Sequence, residues 1–317
     1  MPKTRVLIAD NLGDDEAVQT MIEALKPNAN VAYRPAMNRE ELLSGIPHCE
    51  VLVVRSRTNV DRELIERARS LRLVITATHG SDHIDIERLN SRGIEFKNVS
   101  EQTNAVAELV IALLLCLARK IPLADRLSKD GLWRKDELVG VEIFGKTLGI
   151  VGFGRIGQLV AEKASALGMR ALVYEADVTP EKGDKARKID AKIVPLDELL
   201  RRSDFITMHV PKTKTTSKMI REEQFSSMKD GVFFINAARG DIVDEGALLK
   251  FLDKGKFGGV AIDVYSVQPP FSRPQLEKLL SDDRVIATQH IGGQTKEARR
   301  ATVRAISDTM EEFLIGR

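Results

Sequence analysis

The feature that most limits what this chain can fold into is a join of strand, glycine-rich turn and helix. The strand-length run Thr147-Leu148-Gly149-Ile150-Val151 leads into Gly152-Phe153-Gly154-Arg155-Ile156-Gly157, and a helical pattern follows over residues 158–167. A G-x-G-x-x-G is weak evidence alone, but between a strand and a helix it describes a dinucleotide loop. Gly152 permits the tight turn, Gly154 lets a pyrophosphate approach the backbone, and Gly157 lets the helix pack on the strand. The helix's opening amides, at Arg155 and Ile156, and its dipole then hold the anion. The next strand-like run ends at Glu175, 18 residues beyond Gly157. A carboxylate there accepts from both ribose hydroxyls and repels a 2′-phosphate, so the expected cofactor is NAD. Asp177 is an alternative for that role.

The same alternation runs through the whole chain. Residues 6–10, 51–54, 73–78 and 94–99 read as buried strands of a first parallel sheet, with amphipathic helices such as 39–45 and 61–70 between them. A second series, 148–153, 171–175, 205–210, 232–237, 259–264 and 285–288, makes six strands, the number of a doubly wound nucleotide-binding sheet. A length of 317 residues suits two domains. The change of series falls near residue 100, and the helical pattern 295–314 has no strand after it, so it can return to the first domain. Residues 102–118 are apolar on nearly every helical face apart from Glu108, which calls for cover by core or by a second subunit.

Hydrophobic residues at 43% and charged residues at 30% exclude a disordered, collagen-like or membrane-spanning chain. Lys and Arg total 48 against 46 Asp and Glu, so no excess of positive charge recommends nucleic acid or a membrane surface as a partner. Two cysteines, Cys49 and Cys116, make no disulfide framework, and Cys116 reads as a small buried hydrophobe. The first apolar run is too short for a signal peptide, and a cytoplasmic location is expected.

Three segments follow strand runs on the edge where doubly wound sheets bind ligands. Asn236-Ala237-Ala238-Arg239-Gly240 presents a guanidinium, whose planar fork matches a carboxylate. Asp263-Val264-Tyr265-Ser266-Val267-Gln268-Pro269-Pro270 is the second. Thr288-Gln289-His290-Ile291-Gly292-Gly293 places a histidine at the end of the last strand, and histidine moves protons near neutral pH, as alcohol-to-carbonyl oxidation requires. His79 and His83 lie near Asp82 and Asp85, but Gly80-Ser81 reads as a turn, and no metal is expected.

These residues resemble the D-isomer-specific 2-hydroxyacid dehydrogenases, in particular their phosphoglycerate dehydrogenase-like branch. The likeness runs through nearly the whole chain and includes Val54-Arg55-Ser56-Arg57-Thr58, residues 145–157, Asn236–Gly240 with Val243-Asp244-Glu245, and His290-Ile291-Gly292-Gly293. It implies an α/β protein in which a Rossmann-type doubly wound sheet, residues 101–290, is inserted into a flavodoxin-like substrate domain made of residues 1–100 and 291–317. It also implies roles. Arg239 grips the carboxylate of a small anionic substrate and His290 exchanges the hydroxyl proton. Asp263, the Ala237 backbone and Gly292 meet the nicotinamide side, and His209-Val210-Pro211 lie beside the adenosine. Arg55, Ser56, His79 and Gly80 line the substrate side. Such proteins are usually homodimers joined through their nucleotide domains.

The sequence departs from that pattern in three places. The partner of the histidine is usually a glutamate before a proline, and here it is Gln268, a histidine–glutamine pairing that resembles formate dehydrogenases of the same superfamily. Thr76 stands where many phosphoglycerate enzymes carry a second arginine, leaving Arg55 or Arg57 for a phosphate. Gln102 replaces a common asparagine. The chain ends at Arg317, so no appended regulatory domain is expected. The leading expectation is an NAD-dependent enzyme acting on C2 of a 2-hydroxy or 2-keto acid, such as 3-phosphoglycerate, glyoxylate or hydroxypyruvate. Formate-type hydride transfer and an NAD-responsive binding protein without turnover are the alternatives.

Overall fold

A computed structural model describes residues 2–78 and 80–315. The chain divides into two compact units, Met1–Thr103 with Gly293–Arg317, and Asn104–Gly292.

The first unit is built on five parallel strands, β1 (Thr4–Ile8), β2 (Ala29–Tyr33), β3 (Val51–Val54), β4 (Leu73–Thr76) and β5 (Glu95–Asn98). Their order across the sheet is β2-β1-β3-β4-β5, the flavodoxin-like arrangement. Every residue of β3 and β4 is buried, because helices cover both faces of a parallel sheet. Successive side chains point to opposite faces, so Leu7, Leu52 and Val54 join one core, while Val6, Ile8, Val51 and Val53 join the other. The second of these cores takes Val303, Ile306 and Met310 from the helix Lys296–Ile315, which is how the end of the chain returns to its beginning.

The second unit carries seven parallel strands, β6 (Thr147–Val151), β7 (Arg170–Tyr174), β8 (Lys192–Ile193), β9 (Phe205–Met208), β10 (Val232–Asn236), β11 (Phe257–Ile262) and β12 (Val285–Ala287). They are ordered β12-β11-β10-β9-β6-β7-β8. The winding reverses between β6 and β9, and at such a switch point the loops after the strands diverge and leave a crevice for a ligand.

The strand count therefore exceeds the expectation by one in each unit. The additional strands, β2 and β8, are both edge strands. An edge strand has one open side, so polar residues such as Asn30 and Lys192 alternate with the apolar ones and no continuous apolar run marks it. Cys116 also differs from expectation, being only half-buried, whereas Cys49 is buried. The helix Thr103–Arg119 turns Val106, Val110, Leu113, Leu114 and Leu117 inward, and Cys116 falls beside that stripe. Among the described residues no helix is long and apolar enough to cross a membrane.

Candidate active site

The glycine loop after β6 is shaped by contacts that leave no room for side chains at two of its three glycines. Gly152 has φ +101, and a Cβ there would come within 2.7 Å of the His209 carbonyl carbon. A Cβ on Gly157 would lie 2.2 Å from the Gly152 oxygen, so any larger residue would lift the helix off the strand. Gly154 is different, since a Cβ there would meet no protein atom within 4 Å. The helix Arg155–Ala166 starts at Gly154 with no side chain capping it, so its opening amides face that open space. An open backbone approach and uncapped amides are what a dinucleotide pyrophosphate requires, and the loop fits NAD.

Glu175, just after β7, lies against this loop. Its carboxylate accepts from Phe153 N at 2.7 Å and from Asp177 N at 3.2 Å, and Lys182 Nζ stands 3.2 Å away. Burial alone would raise its pKa, but the Phe153 and Asp177 amides and the Lys182 charge outweigh that and hold it below the ordinary glutamate value. Of the two acids considered for the ribose, Glu175 is the one fixed beside the glycines, while Asp177 is exposed. His209 continues β9, its amide donating to Val151 O at 2.7 Å, and Val210 and Pro211 follow along the same edge.

Arg239 follows β10. Asn236, buried, clamps that turn from both sides, donating Nδ2 to Arg239 O at 2.9 Å and accepting from Ala238 N at 3.2 Å. Ala237 thus stays half-buried at the turn. Gly240 lets the segment lie directly on the next loop, since a Cβ would sit 2.0 Å from the Tyr265 carbonyl carbon.

The loops after β11 and β12 are bound to each other. Asp263, 1% exposed, accepts from Thr288 Oγ1 at 2.6 Å and Ile291 N at 2.8 Å through Oδ1, and from Gly292 N at 3.0 Å through Oδ2. Tyr265 donates its hydroxyl to Thr288 O at 2.9 Å. Burial, then the charges of Asp263 and Glu245, push that phenol up to about 12, so it remains a donor. Glu245 in turn accepts from Ser266 N at 2.8 Å.

Between these ties sit His290 and Gln268, with His290 Nδ1 3.0 Å from Gln268 Oε1. Gln268 Nε2 faces Tyr265 O at 3.5 Å, which orients the amide so that its oxygen meets the ring. Nδ1 then carries the proton, and Nε2 is the basic nitrogen of the neutral ring. His290 holds φ +56, a left-handed conformation uncommon outside glycine, within a loop fixed on both sides. The pair opens on a cavity of about 330 Å³ that Phe271, Leu280 and Thr288 also line.

In the first unit, Asp10 follows β1 and is buried. It accepts from Arg55 N at 2.6 Å, Arg57 Nε at 3.1 Å and Thr58 Oγ1 at 3.0 Å. Arg57 is thereby ion-paired, while Ser56 is exposed and Arg55 keeps its side chain clear of the carboxylate. Gly80 O accepts from Thr78 Oγ1 at 2.7 Å, and His79 lies outside the described residues. Thr76 is fully buried, its hydroxyl 2.9 Å from Thr78 Oγ1 and 3.0 Å from His83 Nε2.

Residues 111–292 match the family model for the D-isomer specific 2-hydroxyacid dehydrogenase, NAD binding domain. The chain belongs to this family. It is 43% identical over 296 residues to D-3-phosphoglycerate dehydrogenase of Archaeoglobus fulgidus, covering 93% of this chain and 54% of that protein. It is 40% identical over 301 residues to hydroxypyruvate reductase of Thermotoga maritima, covering 95% of each. The crystal structure of a D-lactate dehydrogenase from Aquifex aeolicus with NAD and lactic acid superposes with a TM-score of 0.86 at 30% identity, covering 98% of this chain and 96% of that one. The chain spans about half the length of the phosphoglycerate dehydrogenases it matches.

Four residues given no role from sequence hold loops in place, Asp10 in the first unit and Asn236, Glu245 and Tyr265 in the second. Only Asp10 had a local signal, as an acid at the end of a buried strand.

The neutral partner of His290 has a consequence for pH. A carboxylate at that position favours imidazolium and raises the ring's pKa, so the acid form survives to higher pH. Gln268→Glu is therefore expected to keep the His290 ring protonated to higher pH. Initial rates across pH would read this, and an unchanged profile would show that the two side chains are not coupled.

Proposed function

We propose that this chain is an NAD-dependent oxidoreductase that interconverts a small anionic 2-hydroxy acid and its 2-keto acid. The observation that carries the reading is the His290–Gln268 pair at 3.0 Å, set after the strands of the dinucleotide sheet beside the Arg239 turn. Gly152, Gly154, Arg155, Ile156 and Gly157 would hold the pyrophosphate, Glu175 the ribose, and His209, Val210 and Pro211 the adenosine side. Ala237, Asp263 and Gly292 would bound the nicotinamide.

The cofactor, when bound, supplies the hydride acceptor for oxidation and the donor for reduction. The chain supplies orientation and proton transfer. Arg239 takes the substrate carboxylate through its planar fork, which fixes C2 and its oxygen. In oxidation, His290 Nε2 accepts the hydroxyl proton as the carbonyl forms. In reduction, the imidazolium Nε2–H gives a proton to the oxygen. Gln268 holds the ring's tautomer without adding charge. Arg55, Ser56, His79 and Gly80 are the substrate-side residues of this reading.

The identities of the relatives support a phosphorylated three-carbon acid or hydroxypyruvate as substrate. The chain should act in the cytoplasm. A homodimer joined through the NAD-binding unit is supported by apolar side chains left exposed over residues 121–144, among them Trp133 at 89%, Phe144 at 77% and Val139 at 72%.

Steady-state assays with phosphohydroxypyruvate, hydroxypyruvate, glyoxylate, pyruvate and formate, each with NADH or NADPH (oxidised forms for formate), test the reading. A keto acid should turn over with preference for NADH, and Arg239→Met should lower kcat/KM by about 10² to 10⁴. Turnover of formate alone, or NADH binding without any turnover, would overturn it. For the assembly, sedimentation should give a dimer that the double variant Trp133→Glu, Val139→Glu converts to monomer. A monomeric native chain would refute that part.

A further inference from the structure

The ribose end of the dinucleotide site holds a cation with no role so far. The helix Pro180–Lys188 lies shortly after β7, and Thr179 Oγ1 caps it by accepting from Lys182 N at 3.3 Å. The cap fixes the first turn of the helix, and from it the Lys182 side chain returns to the end of β7. Its Nζ donates to Asp177 O at 2.9 Å and stands 3.2 Å from Glu175 Oε1. The Lys182 side chain is 24% exposed and that of Glu175 13%, whereas the pair one turn along, Lys185 with Glu162, stands at 38% and 53%. Exposed ion pairs contribute little, but a half-buried lysine tied at two points is oriented before any ligand arrives.

Few positions on the two groups remain free. An ionised carboxylate has about four acceptor positions. Glu175 uses one on Oε2 for Phe153 N, while Asp177 N and Lys182 both meet Oε1. Phe153 is held on its other side, its oxygen accepting from Gln158 Nε2 at 3.0 Å, which anchors the assembly to the glycine loop. One acceptor position is left, on Oε2, so the carboxylate by itself cannot take both hydroxyls of a ribose. The Lys182 ammonium has three N–H groups, and Asp177 O and Glu175 occupy two. The third can meet a ribose oxygen that the carboxylate does not reach.

Charge balances as well. A carboxylate alone repels a 2′-phosphate. Here an opposite charge stands 3.2 Å from it, and a phosphate oxygen would find a charge-assisted donor in the same ammonium. Asp177 takes part through its backbone, its side chain being exposed.

We propose that Lys182 is a second ribose residue of the cofactor site, beside Glu175, and that it sets how far a 2′-phosphate is tolerated. NAD stays preferred through Glu175, but NADP is admitted through Lys182 rather than excluded outright. This rests on the reading of Glu175 as a ribose residue given above.

Titration calorimetry with adenosine 5′-monophosphate and adenosine 2′,5′-bisphosphate tests the proposal without turnover, since the two differ only in the 2′-phosphate. The native protein should bind both, the monophosphate more tightly. Lys182→Met should weaken the bisphosphate about tenfold and the monophosphate no more than about threefold. Lys182→Arg should keep the native ratio within about threefold, which separates charge from packing. Glu175→Gln should tighten the bisphosphate about tenfold and weaken the monophosphate, and adding Lys182→Met should abolish that gain. Lys185→Met, on the same helix, should leave both affinities unchanged.

No binding of the bisphosphate to the native protein, equal weakening of both nucleotides by Lys182→Met, or an equal effect of Lys185→Met would overturn the proposal. If Glu175→Gln alters neither affinity, the reading of Glu175 fails, while the ratio in Lys182→Met still decides Lys182. If Glu175→Gln acts as expected and Lys182→Met leaves the ratio unchanged, the proposal for Lys182 fails alone.

Discussion

Much of the candidate site depends on one buried carboxylate. Asp263 stands at the end of the sixth strand of the dinucleotide sheet and accepts three hydrogen bonds, all from the segment 288–292. A carboxylate removed from water needs such donors, and the backbone amides of Ile291 and Gly292 need an acceptor equally. Satisfying both draws the segment into a fixed bend, with His290 at φ +56. Tyr265 adds a second tie from the same loop to Thr288 O. The position of the histidine is thus a consequence of hydrogen-bond accounting one and two residues away.

Gln268 completes the arrangement in a way that separates orientation from charge. Its carbonyl oxygen meets Nδ1 as a carboxylate would, so the tautomer is set. As a neutral amide it places no charge beside the ring. Arg239 stands on a turn clamped by Asn236 and seated on Tyr265 through Gly240.

Legibility in the sequence followed how local each constraint is. Gly152 and Gly157 could be read directly, because the positive φ of the first and the approach of the second to the Gly152 oxygen are set within six residues. Glu175 could be read because its distance from the loop is set by one helix and one strand. The central strands showed as unbroken apolar runs, while β2 and β8, wet on one side, did not. Glu245 and Tyr265 were not readable, because their partners lie on turns brought together only by the sheet, while Asn236 bonds within its own turn and Asp10 showed only as an acid ending a buried strand. Arg299 is the extreme case, meeting Gly13 across 286 positions of chain. That Arg57 rather than Arg55 pairs with Asp10 was likewise not readable, since Asp10 lies 47 positions away in the chain.

The most direct measurement is the protonation pattern of the His290 ring, read by long-range proton–nitrogen correlation in protein with nitrogen-labelled histidine and NAD added. At neutral pH the neutral ring should carry its proton on Nδ1, with Nε2 showing the shift of an unprotonated ring nitrogen. Gln268→Ala should remove that bias. A native ring protonated at Nε2 would contradict the account, since the nitrogen meant to take the hydroxyl proton would already hold one.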